Sequence, residues 1–416
     1  MERSQSRRQF IQTASVGAAA LAMPASSYAR VVGANDRIHI GVIGCGGRGR
    51  RAHMPGVHAH SESQNCEIVA VSDPWKSRRE EAAAAAKEWY GGSPQALVSY
   101  RDLLAVKDLD AVMIASCDHQ HTTHLEAAAK AGKDVYCEKP LGMDFEKVKR
   151  AVDAVKAAKA VCQIGTQVRS LPTSTGCREL FQSGVFGKLS RIEQSRNSTR
   201  PYWYSRVKDV KKEDVDWKEF LMDAPDQPFR ADKFSGWYGY RDFSDGPVPG
   251  LASHFVDLLH YITGAKFPES ATGQHGTFTW IDEHKFTCPD QVQATWIYPE
   301  GFMVSYTTNF GNSNGNHISF MGDQGTLSLT PWTKPSYSRA GAGKPSELPA
   351  EETLVEPIET PDHFLDWLQC IRNRGTCRAP AQAGLQHAAA VIMAVKAADT
   401  GRRQIYDPEK REIKDG

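Results

Sequence analysis

In the stretch YCEKPLG, residues 136–142, a lysine stands between an acid and a proline, directly after a short apolar run. Pro140 disfavours the right-handed helical region for Lys139 and drives it extended. A solvated lysine needs no fixed backbone; a lysine that must meet a reacting atom does. Two further clusters carry chemistry. Gly44-Cys45-Gly46-Gly47-Arg48-Gly49 fits G-x-G-x-x-G. Its glycines permit a tight turn, a close backbone approach to a diphosphate and close helix packing. The stretch SCDHQHTTH, 116–124, gathers Asp118, His119, His121 and His124. H-x-H-x-x-H is rich enough in imidazoles to hold a metal. A loop giving polar contacts to a cofactor explains Asp118, His119 and His121 better, and no metal is expected. His124 belongs to the helix that follows.

The elements around these clusters must bring them to one end of a sheet. RIHIGVI (37–43) precedes the glycine motif, and EIVAVSD (67–73) ends on Asp73. DAVMIAS (110–116) ends where the histidine-rich loop begins, DVYC (134–137) ends before Glu138, and AVCQIG (160–165) is a fifth run. Helical stretches at 78–89, 121–131 and 145–157 alternate with them. Continuous apolar strands alternating with helices specify a parallel sheet covered on both faces. Ligands bind such sheets at the carboxyl ends of the strands, where all three clusters fall. The helix after the glycines offers its N–H groups to an anion. Asp73 stands where an acid accepts from ribose hydroxyls and repels a 2′-phosphate, which favours NAD. Lys76, Arg78 and Arg79 lie close by and leave NADP open.

After about residue 185 the pattern changes. KLSRIEQSRNSTR alternates like a strand, and 200–250 is aromatic, charged and irregular. A helix is expected over 251–263, further strands over 271–330, a polar loop over 338–352 and closing helices near 361–373 and 382–399. The expected fold is α/β. An N-terminal Rossmann dinucleotide-binding domain covers 34–160. A C-terminal α+β domain with an open, mainly antiparallel sheet covers 161–416, its last helices packing back on the first domain.

The 416 residues include 50 basic and 49 acidic ones, so no nucleic-acid partner is implied. No run is apolar enough for a membrane span. Nine cysteines without C-x-x-C spacing imply no disulfide framework. Residues 1–33 read as a leader. Arg7-Arg8 precedes a stretch of small and apolar residues ending near Ala29, the pattern of a twin-arginine (Tat) export signal. A periplasmic or secreted location is therefore expected.

In order along the chain, GVIGCGGRG, CDHQH, AGKDVYCEKPLG, GTQVRS and SHFVDLLHYITG resemble the Gfo/Idh/MocA family of glucose–fructose oxidoreductases and inositol dehydrogenases, in its exported branch. The resemblance implies that Lys139 binds substrate and polarises the reacting C–OH, and that Glu138 lines the nicotinamide pocket. It also implies that His254, on a second-domain helix, takes the hydroxyl proton. His254, Asp257 and Tyr261 share one face of that helix, and Asp257 is expected to fix the His254 tautomer. His260 is read as structural. The dinucleotide would be held by Gly44, Gly46, Gly47, Arg48, Gly49, Asp73, Asp118, His119, His121, Glu138 and Gln167. The substrate would be held by Arg169, Tyr238, Tyr240 and Arg241. One departure matters: such enzymes often carry an aspartate four residues before the histidine, and here that position is Gly250. Asp245, Tyr238, Tyr240 and Arg241 are the candidates to compensate. The implied activity is NAD(P)-dependent oxidoreduction of a sugar or glycoside hydroxyl, with a cofactor that is retained. The alternatives are an NAD-dependent glycosidase or lyase working by transient oxidation and elimination, and a non-catalytic sugar- or cofactor-binding protein. A homo-oligomer formed through the second sheet is expected.

Overall fold

The computed structural model describes residues 36–341 and 345–416. The leader read at 1–33 lies outside the described residues. Two sheets organise the chain. The first contains β1 (Ile38–Ile43), β2 (Cys66–Ser72), β3 (Gln95–Leu97), β4 (Ala111–Ile114), β5 (Asp134–Cys137) and β6 (Cys162–Ile164). All pairings are parallel, in the order β3-β2-β1-β4-β5-β6. β4, β5 and β6 are buried at every position, which is why they read as continuous apolar runs. One face packs on helices Met54–His58, Lys76–Tyr90 and His363–Asn373, with Trp367, Leu368 and Ile371 against Ile38, Ile40 and Val42. The other face packs on Tyr100–Leu104, His121–Lys130 and Phe145–Ala158. The direction of strand addition reverses between β1 and β4, so a crevice opens beyond their carboxyl ends.

The first domain extends past residue 160. β6 pairs with β5 in parallel, and Val161 and Cys162 are buried. Its three residues complete the parallel core, so a boundary at 160 cuts through the sheet. β3 has no apolar signature because two of its three residues are exposed.

The second sheet has ten strands in the order β14-β13-β12-β11-β7-β10-β9-β8-β15-β16. They are β7 (Leu189–Ser195), β8 (Ser270–Gly276), β9 (Gln291–Tyr298), β10 (Phe302–Asn309), β11 (His317–Gly322), β12 (Gly325–Ser328), β13 (Ser336–Arg339), β14 (Thr353–Leu354), β15 (Gln404–Asp407) and β16 (Glu412–Asp415). Only β7 and β10 pair in parallel. β9 and β10 alternate buried and more exposed positions, the mark of a sheet covered on one face. Trp296 fixes that cover by donating to the Ala390 carbonyl of helix Ala381–Thr400 at 2.8 Å. The chain does not close on helices, as expected, but on the β15–β16 hairpin, whose four-residue strands are too short to display a period. Among the described residues no helix is long and apolar enough to cross a membrane.

Helix Ser253–Thr263 packs against helices Pro172–Gln182 and Ala381–Thr400, and nine of its eleven residues are buried. Residues 202–243 form short helical turns around their own core of Val210, Phe220, Leu221, Phe234, Tyr240 and Phe243. Trp75 and Cys117, which follow β2 and β4, pack into that core. This aromatic segment is thereby laid across the crevice.

Candidate active site

The turn after β1 is built for an anion. Gly44 adopts φ +91°, and a Cβ there would lie 2.6 Å from the Ala115 carbonyl. A Cβ on Gly49 would lie 2.0 Å from the Gly44 oxygen, so the helix can begin there only with glycine. Nothing lies within 4 Å of a Cβ position on Gly46, so its backbone faces open space. Asp73 braces the turn, accepting from the Cys45 N–H at 2.7 Å and the Trp75 N–H at 2.8 Å. Burial pushes its carboxyl up to about 6, against the pull of those two N–H groups.

From the turn a cavity of about 700 Å³ runs to Lys139, lined by Gly44, Gly46, Asp73, Asp118, His121 and Glu138 among others. Glu138 anchors its inner end. Its Oε1 meets His53 Nε2 at 2.9 Å and Arg48 Nε at 3.0 Å. Burial works against its ionisation, but the His53 hydrogen bond and the charges of His53, Arg48 and Lys139 hold the carboxyl well below its usual range. Gly165 backs it so closely that a Cβ would lie 2.8 Å from the carboxyl carbon. Gln167 donates to the Gly165 carbonyl and accepts from Arg48. It steadies Arg48 and does not line the cavity.

Lys139 follows, with a cis peptide to Pro140. Its Nζ crosses between the domains and donates to the Gly250 carbonyl at 2.7 Å. Burial lowers its pKa, and Glu138 and Asp118 oppose that drop. Asp118 accepts from Ser244 Oγ at 2.8 Å, and burial pushes its carboxyl up to about 7. His254 begins the next turn after Gly250. Burial and then the Lys139 charge drive its pKa well below the usual value, so the ring is neutral. Its Nδ1 is buried without a hydrogen-bond partner. The Lys139 ammonium of the first domain thus lies near enough for its charge to act on the neutral imidazole of the second, although His254 is not among the residues lining the cavity.

Gly250 explains its own identity. A Cβ there would lie 2.3 Å from the Tyr202 hydroxyl oxygen. That hydroxyl is buried with no partner among the described residues, held by edge-on contacts to Tyr238 and Phe310. Burial raises its pKa well above the usual phenol value, with Asp118 and Tyr238 adding to the shift. Sequence reading missed Tyr202. Its only signal was the glycine at 250, which makes room for a group arriving from elsewhere.

Several expected site residues are placed differently. Asp257 does not orient His254: its carboxylate accepts from Arg169 Nε at 2.9 Å and Nη2 at 2.7 Å. A bidentate guanidinium is a stronger partner than a neutral ring, and it removes both Asp257 and Arg169 from the cavity. Tyr240 is core, donating to Asp232 and the His284 carbonyl. Arg241 pairs with Asp399 and Asp245 outside the cavity, so neither it nor Asp245 compensates for Gly250. Tyr238 does line the cavity. His119 turns to the Phe220 carbonyl at 3.0 Å and leaves the lining to Gln120. The loop's histidines face separate partners: His121 Nδ1 meets the Pro140 carbonyl at 2.7 Å and His124 Nδ1 meets Ser116 Oγ at 2.9 Å.

The aromatic segment forms the outer wall, contributing Ser205, Arg206, Lys208, Phe234, Trp237 and Tyr238. It is tied down on both sides of the crevice. Beside β2, Val215 bridges to Trp75, the Asp216 N–H donates to the Pro74 carbonyl at 3.0 Å, and Glu219 accepts from Ser99 at 3.0 Å. Beside β4, Gln120 Nε2 donates to the Phe220 carbonyl at 2.8 Å, and Lys147 pairs with Asp223 at 3.1 Å. The open Gly46 backbone, the braced Asp73 and the length of the cavity suit a dinucleotide lying beneath this strap.

Comparison with known proteins agrees with that geometry. Residues 38–166 match the model of the oxidoreductase family's NAD-binding Rossmann fold, and residues 223–405 match that family's C-terminal alpha/beta domain. Inositol 2-dehydrogenase of Rhizobium meliloti is 29% identical over 167 residues, 39% of this chain and 47% of that protein. The first curated relatives are matched over half of their own length or less. Among solved structures, aldose-aldose oxidoreductase from Caulobacter crescentus superposes with a TM-score of 0.67 at 19% identity, covering 88% of this chain and 99% of that one. The WlbA dehydrogenase from Bordetella pertussis, in complex with NADH and UDP-GlcNAcA, gives 0.65 at 21% identity, covering 88% and 98%. These two share the fold.

Proposed function

The chain belongs to the Gfo/Idh/MocA oxidoreductase family, and from that premise we propose that it exchanges hydride between NAD and a hydroxyl-bearing carbon of a sugar or glycoside without releasing the dinucleotide between turnovers. The observation that carries this reading is the strap. A dinucleotide under residues 205–238 is walled in by the second domain and by ties to both sides of the crevice. Relatives and neighbours whose names specify inositol, aldoses or a UDP-sugar support a polyhydroxylated ring as the substrate class. Export by the Tat route, which carries folded proteins, belongs to the same proposal; the twin-arginine pattern read at residues 1–33 supports it.

Bound NAD supplies the hydride acceptor and donor; the chain supplies position, charge and a proton path. Lys139 Nζ, held by the Gly250 carbonyl, presents its remaining N–H bonds to the substrate oxygen. His254, neutral through burial, takes the hydroxyl proton as charge builds on that oxygen. Tyr202 stands where the customary carboxylate would be. Because burial keeps the phenol protonated, it has a hydrogen to offer an incoming oxygen but carries no charge. The Lys139 ammonium is therefore not neutralised at that position, and its charge stays available to the developing alkoxide.

A cofactor that never leaves must be restored within each cycle. Transfer between two sugars does this, and so does a redox-neutral glycosidase or lyase. The test begins with the full chain purified without added nucleotide. Denaturation should release an equimolar amount of nicotinamide dinucleotide, measured by mass spectrometry. Aldoses, cyclitols and glycosides are then added. Reduced-nicotinamide absorbance that rises with one sugar and decays with a second supports sugar-to-sugar transfer. Release of free sugar with no net absorbance change supports the glycosidase reading. A protein that purifies empty and exchanges NAD freely at every turnover sinks retention, and full turnover by Lys139→Met sinks the site.

A further inference from the structure

A second cavity, of about 420 Å³, lies along the His254 helix and shares no lining residue with the first. Arg169, Arg178, Arg378, Gln182, His260 and Tyr261 are among its walls. Three guanidinium groups surround one tyrosine. Arg169 and Arg178 lie over the Tyr261 ring, 5.0 and 4.9 Å from its centroid, and Arg378 Nη2 donates to the Tyr261 hydroxyl at 3.0 Å. Cation–π contacts of this kind stabilise single charges modestly, but they do not remove the repulsion among three.

The charge count is unbalanced. Asp257 answers Arg169 alone, through its bidentate pair. Arg378 donates through Nη2 only to neutral hydroxyls, Thr175 Oγ1 at 2.8 Å and Tyr261 Oη. Arg178 has no ion pair and no hydrogen bond among the described residues, and the Nε atoms of Arg178 and Arg378 are buried without acceptors. His260, 5% exposed, adds another donor. Its Nε2 meets Tyr298 Oη at 2.8 Å. The Tyr298 hydroxyl has no other acceptor among the described residues, so it donates to Nε2 and the ring proton sits on Nδ1. That Nδ1 is buried and unpartnered. Burial holds the ring's pKa down to about 3, so it is neutral and offers one N–H.

The unmet groups are thus donors: two guanidiniums without counter-ions and one imidazole N–H. Such a set is complementary to an oxyanion, and guanidinium forks match phosphate oxygens in pairs. We infer that this cavity is a binding site for a phosphate group, separate from the dinucleotide crevice. The size of the cavity admits either free phosphate or the phosphate of a small ester.

The test uses full-length protein loaded with NAD, so that the crevice cannot answer for the second cavity. Inorganic phosphate is titrated by calorimetry and by thermal shift, against sodium chloride at matched ionic strength. Saturable binding with a sub-millimolar Kd is expected, weakened at least tenfold in Arg178→Gln and partly kept in Arg178→Lys. Arg378→Gln should lose binding similarly, and unchanged NAD content in each variant shows that the fold is intact. Glucose 6-phosphate is titrated in parallel: tighter binding than phosphate points to an ester, equal binding to the free ion, and either supports the site. A response no larger than that of chloride, or one that survives both glutamine variants, overturns it.

Discussion

The carbonyl of Gly250 accepts from Lys139 Nζ, while the space over its α-carbon is taken by the Tyr202 hydroxyl. A residue at 250 and one at 202 are therefore alternatives for the same volume. Gly250→Asp alone should cost about 1–3 kcal/mol through overpacking, seen as a lower Tm, and should abolish turnover. Pairing it with Tyr202→Ala clears the space and returns a carboxylate beside Lys139. That double variant should recover more turnover than either single one. Tyr202→Phe keeps the ring and removes the hydroxyl. If it retains the wild-type rate and pH profile, the hydroxyl has no part in the chemistry. Asp118 yields a second prediction at this scale. Its carboxyl is raised from 3.8 to about 7 by burial. Between those values the native state binds a proton that the unfolded chain has lost, so stability is greatest at the acid end and falls as pH rises through the window. Asp118→Asn should flatten the decline between about pH 4 and pH 7 in urea midpoints. Some slope should remain, because Asp73 shifts in the same direction. An unchanged slope would mean that Asp118 is not the buried acid responsible.

The strap is the element that separates this molecule from a simple open crevice. Its hold rests on a few polar ties, each worth about 1 kcal/mol, above an aromatic core of its own. Glu219→Ala with Gln120→Ala removes the tie to Ser99 and one of the two donors to the Phe220 carbonyl, leaving His119 Nε2 as the other. The variant should fold and should release reduced nicotinamide about tenfold faster, consistent with loosening by about 1–2 kcal/mol. The readout is loss of bound-nicotinamide fluorescence against excess competing nucleotide; an unaltered off-rate would show that the barrier lies elsewhere. Elements differed in how plainly the sequence announced them. β4 and β5 were readable because full burial leaves unbroken apolar runs. The β15–β16 hairpin and β3 were not, because three or four residues cannot establish a period. The aromatic segment was visible as an anomaly. Whether its rings would stack on a ligand or on each other depended on neighbours distant in sequence, and Tyr240 and Phe243 proved to be core.

At the scale of the whole molecule, the first cavity has walls from both domains, so ligand binding and domain association are linked. Helix His363–Asn373 adds a second link, returning Trp367 from beyond the second domain's main strands to the first sheet. Removing the dinucleotide should lower Tm without splitting the transition. A ligand present at a hundred times its Kd contributes about 2.7 kcal/mol, which is several degrees for a chain of this kind. Scanning calorimetry of NAD-saturated and NAD-free protein gives the comparison, and identical midpoints would show that the cavity does not hold NAD. By itself the sequence determined the alternation of strands and helices, the glycine turn and the place of Asp73 at a strand end. Each of these is a local pattern, or a spacing within one element. Tertiary structure alone decided that Asp257 answers Arg169 and not His254, that Tyr202 fills the space at Gly250, and that the strap crosses the crevice. Those are choices among partners 48 to 100 residues apart in number, settled by which groups packing brings within hydrogen-bonding or contact distance.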